Sequence, residues 1–376
     1  MLEQRGNTVK KKLSIGRLLV AIILLIIAIP ISYALYVMLQ YSRIPDNTTL
    51  DIERTASKPV LRIGNEYTAT SYNIGFGAYG PDFSFFMDTG TMADGTAVKG
   101  TYGKAIDRVS VLRNMNGAIK AIQTIDPDIM LFQEVDKKSN RAYFVNEKKM
   151  LDEGFPETSS IYASNFHTAY LCYPFNDPHG ATEAGLVTLS KLPVEEAVRR
   201  SYPVDDSFPT KFFDLDRCFS VCYLPVENGK TLVLVNSHMS AYDEGGKIRE
   251  QQLGMLNDFM EEMYDEGNYV IVGGDYNHIL GSDLLQTFPT KQQVPDWIAV
   301  FDDKDIAKGM RIVKAENRTT VPTCRSADIT YRKGVNYTSV LDGFIVSDNV
   351  KATAKDIQTN FAWSDHEPVL LTFTLL

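Results

Sequence analysis

The chain has 376 residues, of which 44% are apolar and 23% charged, and a formal net charge of −9. That composition excludes a disordered or low-complexity chain, and the length is enough to bury a large core. Residues 1–43 hold six Lys or Arg against Glu3 alone, so the remainder carries −14. A surface of that sign disfavours bulk nucleic acid without forbidding it, because non-specific DNA binders draw their affinity from Lys and Arg on phosphates.

Leu18 to Leu39 is an uncharged, mostly aliphatic run of 22 residues. As a helix rising about 1.5 Å per residue it would be about 33 Å long, enough to cross the hydrocarbon core of a bilayer. Arg5, Lys10, Lys11, Lys12 and Arg17 precede it, whereas Asp46, Asp51 and Glu53 follow. The positive-inside rule therefore makes residues 1–17 a basic cytoplasmic tail and places the folded domain outside the cell membrane, held by a single pass. A cleaved signal peptide is the competing reading, with Ser32-Tyr33-Ala34 as a small-x-small cleavage site. The apolar run continues through Leu35-Tyr36-Val37-Met38-Leu39, further than a signal needs, which favours an uncleaved anchor. Residues 40–65 read as a polar linker with two prolines, and residues 66–376 as the folded domain, expected to be a monomer.

The domain opens with the β-rich run Tyr67 to Tyr72, which ends at Asn73-Ile-Gly-Phe-Gly77. An insertion from Ala78 to Gly103 follows, glycine-rich and carrying Phe83, Phe85, Phe86 and Met87, and it reads either as a lid over a site, the favoured reading, or as a segment packed on the surface. Val109, Leu112, Asn116, Ile119 and Ile122 lie at helical spacing, with Pro127 just beyond. Strand Ile129 to Phe132 then delivers Gln133-Glu134-Val135-Asp136. Cys172, Cys218, Cys222 and Cys324 would face an oxidising compartment, where disulfides are permitted. Cys218 and Cys222 lie four apart in one strand, beyond disulfide reach of each other, and buried thiols are the plainer expectation.

Strand Thr231 to Val235 ends at Asn236-Ser237-His238, and the amphipathic helix Lys247 to Tyr264 leads into the buried strand Tyr269 to Val272. That strand exits through Gly273-Gly274-Asp275-Tyr276-Asn277-His278. A carboxylate and an amide two residues apart on an extended backbone point the same way, so Asp275 and Asn277 can act on one group. Strand Val340 to Val346 contains Asp342, and Trp363-Ser364-Asp365-His366-Glu367-Pro368 precedes the last strand, Val369 to Leu375. Carboxylates, amides and imidazoles at successive strand ends suit hard-cation binding and proton transfer near neutral pH. Two packed sheets flanked by helices fit the order of elements.

The ordered set Asn73, Glu134, His238, Asp275 with Asn277, Asp342, and Asp365 with His366 resembles the endonuclease/exonuclease/phosphatase superfamily. The resemblance runs from about Thr68 to Leu376 and includes a core-strand segment, Glu183 to Ser190. It implies a four-layered α/β sandwich, two mixed sheets flanked by helices, preceded here by the transmembrane helix. It also implies Mg²⁺, with Mn²⁺ as the alternative, held by Glu134 and Asn73. Asp275 would orient or deprotonate the attacking water, Asn277 would hold a phosphoryl oxygen, and Asp365 would support the metal water or His366. His366, paired with Asp342, is the rival base, and His238 would donate to the phosphate or the leaving oxygen. Lys211, Arg217 and Arg249 are candidate phosphate contacts, and Asn165 and His167 candidate pocket residues. The expected activity is hydrolysis of a lipid headgroup or small phosphoester, with a surface nuclease or a non-catalytic binding module as alternatives.

Overall fold

The computed structural model of the chain describes residues 15–376 except 55 and 242–245, so most of the expected basic tail lies outside the described residues. Two compact units divide it, one ending at Ser42 and the other spanning Arg43–Leu376. The first is helix α1 (Ile15–Gln40), long and apolar enough to cross a membrane.

The second unit carries, in chain order, β1 (Thr48–Thr49), β2 (Ile52–Glu53), β3 (Glu66–Asn73), α2 (Arg108–Ile125), β4 (Ile129–Asp136) and α3 (Glu147–Gly154). Then come β5 (Ser159–Leu171), β6 (Gly180–Ser190), β7 (Glu196–Ser201), β8 (Cys218–Pro225), β9 (Thr231–His238) and α4 (Lys247–Asp265). The last are β10 (Tyr269–Asp275), β11 (Met310–Ile312), β12 (Asp342–Ser347), β13 (Val350–Asp356) and β14 (Val369–Leu375). One seven-stranded sheet has the order β1-β7-β8-β9-β10-β12-β11, and the other β13-β14-β3-β4-β6-β5-β2. Both are mixed, with β9 parallel to β10 in the first and β3 parallel to β4 in the second.

Strands buried on two faces explain the unbroken apolar runs. Along β4, Ile129 and Leu131 enter the core between the sheets with Leu234, Ile271, Phe344 and Leu371. Met130 and Phe132 point the other way, against Met115 and Ile122 of α2 and Leu151 of α3. Leu256, Phe259 and Met260 of α4 cover Val233, Val235, Val270 and Val272 on the outer face of the first sheet. The four layers are thus helix, sheet, sheet, helix. Each fully buried aromatic such as Phe344 contributes on the order of 2–3 kcal/mol.

Helix α2 starts where Asp107 and Ser110 form a capping box and stops at Asp126, which is left-handed and followed by Pro127. Its buried stripe is Val111, Met115, Ala118, Ile119 and Ile122, whereas Val109 is 73% exposed. The expected stripe is therefore turned at its start, because Val109 lies in the first turn on the solvent side.

Two expectations change. Residues 43–65 are not a free linker: Thr48 and Thr49 pair with Arg199 and Val198, Ile52 and Glu53 pair with Ile161 and Ser160, and Leu61 is fully buried. The segment covers an edge of each sheet, which satisfies backbone groups that would otherwise stay open. The insertion at 78–103 is not a loose lid. Phe83 is fully buried, packs edge-on to Tyr79 at 4.7 Å and stacks on Tyr102 at 5.6 Å, while Thr89–Thr91 and Ala97–Lys99 form a hairpin. Its aromatic residues supply enough apolar surface to fix it as a wall. All four cysteines are free, and Cys218, Cys222 and Cys324 are buried.

Candidate active site

Asn73, Glu134, His238 and Asp275 lie at or near the C-terminal ends of β3, β4, β9 and β10, and Asp342 opens the antiparallel β12 directly opposite Asp275. The turn before β14 adds Asp365 and His366. Because β9 and β10 are parallel and in register, with His238 level with Asp275, their ends coincide in space.

Asp275 Oδ2 is the hub. It accepts from Asn73 Nδ2 at 3.0 Å, across from the other sheet, and lies 3.5 Å from His238 Nε2 and 3.6 Å from His366 Nε2. Asn73 Nδ2 also reaches Glu134 Oε1 at 3.4 Å, which is 4.0 Å from His238 Nε2. Asp275 Oδ1 accepts from the Asn277 backbone at 2.8 Å, and Asn277 Nδ2 donates to the Met239 carbonyl at 2.9 Å. The two glycines before Asp275 are there for want of space. A Cβ at Gly274 would lie 2.0 Å from the Ser237 carbonyl oxygen, and one at Gly273 would meet Phe344 at 2.5 Å.

Glu134 sits in a left-handed backbone, φ 56°, at a register shift between Phe132 and Val135. Such a bulge re-aims a side chain, and the strain is held by neighbours. Arg141 clamps the next turn by donating Nε and Nη2 to both oxygens of Asp136, and its guanidinium lies 3.9 Å from the Phe76 ring centre. The Ser364 hydroxyl donates to the Asn73 carbonyl at 2.8 Å, tying the last turn to β3.

His366 Nδ1 meets Asp342 Oδ2 at 2.8 Å. Burial alone would favour the neutral ring, but Asp342, Cys324 and Asp275 outweigh it and hold His366 well above the usual range. Burial pushes the Asp342 carboxyl up to about 6 against the pull of His366. His238 goes the other way: burial first, then the charges of Arg217, His366 and Arg141, hold it well below its ordinary value. The two imidazoles are pushed in opposite directions, His366 toward its cationic form and His238 toward its neutral form. Burial also raises Glu134, which Arg141 opposes and Asp365 reinforces, and Asp365 is raised chiefly by burial.

All eight expected residues thus belong to one end of the two sheets. Others do not join them. His167 pairs with Asp216 at 3.1 Å, Arg249 donates to the Trp297 carbonyl at 2.7 Å, and Lys211 lies near the Phe212 ring. Asn165 is buried with its amide nitrogen unpartnered among the described residues. His179, with Nδ1 2.6 Å from the Gly103 carbonyl, is wrapped by Phe76, Phe85, Phe86 and Phe166, and burial lowers it to about 3. Sequence reading missed Arg141, Ser364 and Cys324, whose Sγ is 3.6 Å from His366 Nε2. Of these, Arg141 had a signal, an Asp and an Arg five apart just after Glu134.

Residues 70–366 match the model of the Endonuclease/Exonuclease/phosphatase family. The chain belongs to that family. Its members are hydrolases acting on phosphoesters. No curated protein sequence matches the chain. Among solved structures, an endonuclease/exonuclease/phosphatase from Beutenbergia cavernae is similar at 14% identity and TM-score 0.53, over 82% of this chain and 72% of that one. TDP2 from Caenorhabditis elegans is similar at 17% identity and TM-score 0.50, over 83% and 75%. The human Nocturnin catalytic domain with bound sulfate follows at 14% and 0.50, over 87% and 97%. These likenesses show the endonuclease/exonuclease/phosphatase fold.

The donor set fits a hard divalent cation. Glu134 is raised by burial and by the nearby Asp365, and Asn73 adds an amide oxygen, so a cation among them would meet oxygen donors and relieve that repulsion. A second cluster, Asp275, Asp342 and His366, has ligand-type atoms within 4.8 Å of one another, but His366 there is tied to Asp342 through Nδ1.

Proposed function

We propose that the protein is a membrane-anchored, Mg²⁺-dependent phosphoester hydrolase whose domain lies outside the cytoplasm and acts on lipid headgroups or small phosphoesters. The observation that carries this reading is the convergence of Asn73, His238 and His366 on one carboxylate oxygen of Asp275. Water attack on phosphorus needs a proton acceptor flanked by groups that stabilise developing charge, and that is what these atoms offer. Mg²⁺ held by Glu134 and Asn73 would supply Lewis-acid stabilisation of charge on the phosphoryl group.

Asp275 takes the proton of the attacking water, held between the two sheets by Asn73. His366, held toward its protonated form by Asp342, serves as donor toward a phosphoryl or leaving oxygen, with Asp342 fixing the ring at Nδ1. His238, neutral, orients the water or substrate through Nε2. Asn277, with one amide hydrogen given to Met239, has another for a phosphoryl oxygen.

The charge of −14 after residue 43 and the short tether support a small or lipid substrate. Only Tyr41 and Ser42 stand between α1 and the compact unit. At no more than about 3.6 Å per residue they keep the domain near any bilayer that α1 spans. Long DNA would be repelled by both surfaces. The test is a comparison, at physiological salt, of full-length protein in nanodiscs on phospholipid and small phosphoesters and on duplex DNA. Faster turnover of the former is expected, and plasmid nicking unmatched by any other ester would replace this reading with a nuclease. Protease added to intact cells should digest the domain, whereas protection until lysis would reverse the orientation.

A further inference from the structure

Among the described residues four phenylalanines are exposed, Phe144, Phe175, Phe208 and Phe213, with Phe175 at 84% and Phe208 at 76%. A single exposed Phe is ordinary. These four all stand on loops that leave the same end of the two sheets, the end that holds Asp275. Phe144 lies between β4 and α3, after the turn that carries Glu134. Phe175 lies on the connection between β5 and β6, where Leu171 pairs with Gly180, and β6 sets Ala184 opposite Asp136. Phe208 and Phe213 lie between β7 and β8, and Phe219 of β8 pairs with Ser237, the residue before His238. Tyr173, also exposed, meets Phe175 edge-on at 5.9 Å.

The chain enters the compact unit at that same end. Arg43 Nη1 donates to Asp216 Oδ1 at 2.8 Å, and the Ile44 backbone donates to Asp216 Oδ2 at 3.1 Å. Asp216 belongs to the loop that carries Phe208 and Phe213, and its Oδ2 also lies 3.1 Å from His167 Nε2, in the strand that leads to Phe175. Arg43 is three residues on from Gln40, the last of α1, which is no more than about 11 Å of chain at about 3.6 Å per residue. The opposite end of the sheets is a strand length away, about 25 Å for the eight residues of β9 at about 3.3 Å each. Charge does not account for the rings, because Asp205 and Asp206 stand just before Phe208. Removal of apolar surface from water does, and aromatic side chains on loops suit the boundary between headgroups and acyl chains.

We propose that this end of the domain docks on a lipid bilayer, with Phe208 and Phe213 of one loop and Tyr173 and Phe175 of the other set among the headgroups, so that the site opens onto the lipid surface. This rests on the proposed anchoring by α1 and names the surface through which the site meets its lipid. Because apolar burial drives it, docking holds on zwitterionic lipid and needs no anionic headgroup.

The experiment places single tryptophans in the full-length chain in phosphatidylcholine nanodiscs and reads their quenching by lipids brominated on the acyl chain, after subtracting the emission of the two native tryptophans measured in wild type. Phe208→Trp and Phe175→Trp report the two loops. Ile63→Trp is the control, being exposed at the opposite end, where the Gly64 backbone donates to the Leu375 carbonyl. Thermal melts check that each variant folds as wild type does. Emission at 208 and 175 should be blue-shifted and largely lost to brominated lipid, while emission at 63 stays unquenched. No quenching at 208 and 175, quenching at only one of them, or equal quenching at 63 overturns the proposal. A blue shift without quenching overturns it too, and shows that a second copy of the chain covers the rings. Failure of the protein to co-purify with the discs removes the anchor and the proposal together. Quenching at both loops, in a protein that hydrolyses no ester, keeps the docking and removes the hydrolase, whereas hydrolysis of a lipid ester without quenching does the reverse.

Discussion

Gly274→Ala tests whether the close approach of β9 and β10 sets the catalytic geometry. The added Cβ would lie 2.0 Å from the Ser237 carbonyl oxygen, where real Cβ atoms essentially never come within 3.0 Å. The obstacle is backbone, so the strands must part by about 1 Å, the difference of those distances. The next pair in register is His238 and Asp275, whose Nε2 and Oδ2 stand 3.5 Å apart. A displacement of about 1 Å costs roughly a hundredfold in rate, and the overpacking costs about 1–3 kcal/mol of stability. Phosphate release should therefore show kcat/KM down about a hundredfold, with Tm lowered by a few degrees and an unchanged circular dichroism spectrum. Gly254→Ala is the control. It lies exposed in α4 with nothing within 4 Å of the new methyl, so it should gain up to about 1 kcal/mol and keep its rate. A Gly274→Ala enzyme within twofold of wild type would refute the reasoning.

His238→Ala and His366→Ala should each lower turnover by about a hundredfold or more with folding intact, and near-normal rates in either would remove that histidine from the mechanism. Asp342→Asn removes the charge that holds the His366 proton, so the alkaline limb of the pH–rate profile should move to lower pH; an unmoved limb would show that His366 is not the titrating donor. Asp356 is buried, both its oxygens lack partners among the described residues, and burial pushes it up to about 7. Its folded value exceeds its unfolded value of 3.8, so stability is lost as pH rises through about 4 to 7 and stays lost above. Urea unfolding of Asp356→Asn should show a gain at pH 8 of up to about 4 kcal/mol, at about 1.36 kcal/mol per pH unit, and none near pH 3.5; equal gains at both would contradict the account.

Much of the candidate site was legible because Glu134, His238 and Asp275 each follow a strand whose apolar run announces itself, such as Ile129–Phe132 before Glu134 or Tyr269–Val272 before Asp275. What escaped lacks such a period. Strands of two residues at 48–49 and 52–53 carry no alternation to read, and their pairing is decided by open sheet edges far along the chain. The insertion looked irregular because Phe83 and Tyr79 pack by aromatic edge contacts rather than by helical or strand spacing. Cys324 meets His366 across 42 residues through one isolated bridge, which no local pattern encodes. The protonation states of the two histidines also had to wait for the structure. His366 and His238 are both buried, and the charges the fold sets beside each, chiefly Asp342 at one and Arg217 at the other, push them in opposite directions.

The central claim is that these strand ends form one metal-assisted hydrolytic site, and a Mg²⁺ titration of phosphoester hydrolysis in wild type and Glu134→Gln tests it most directly. Full-length protein in nanodiscs, offered phospholipid, sugar-phosphate and nucleotide esters, should hydrolyse at least one of them only when Mg²⁺ is present. Glu134→Gln should need far more Mg²⁺ or lose the activity altogether, while melting as wild type does. Turnover that is indifferent to EDTA, or a Glu134→Gln enzyme with the wild-type Mg²⁺ requirement and rate, would contradict the account.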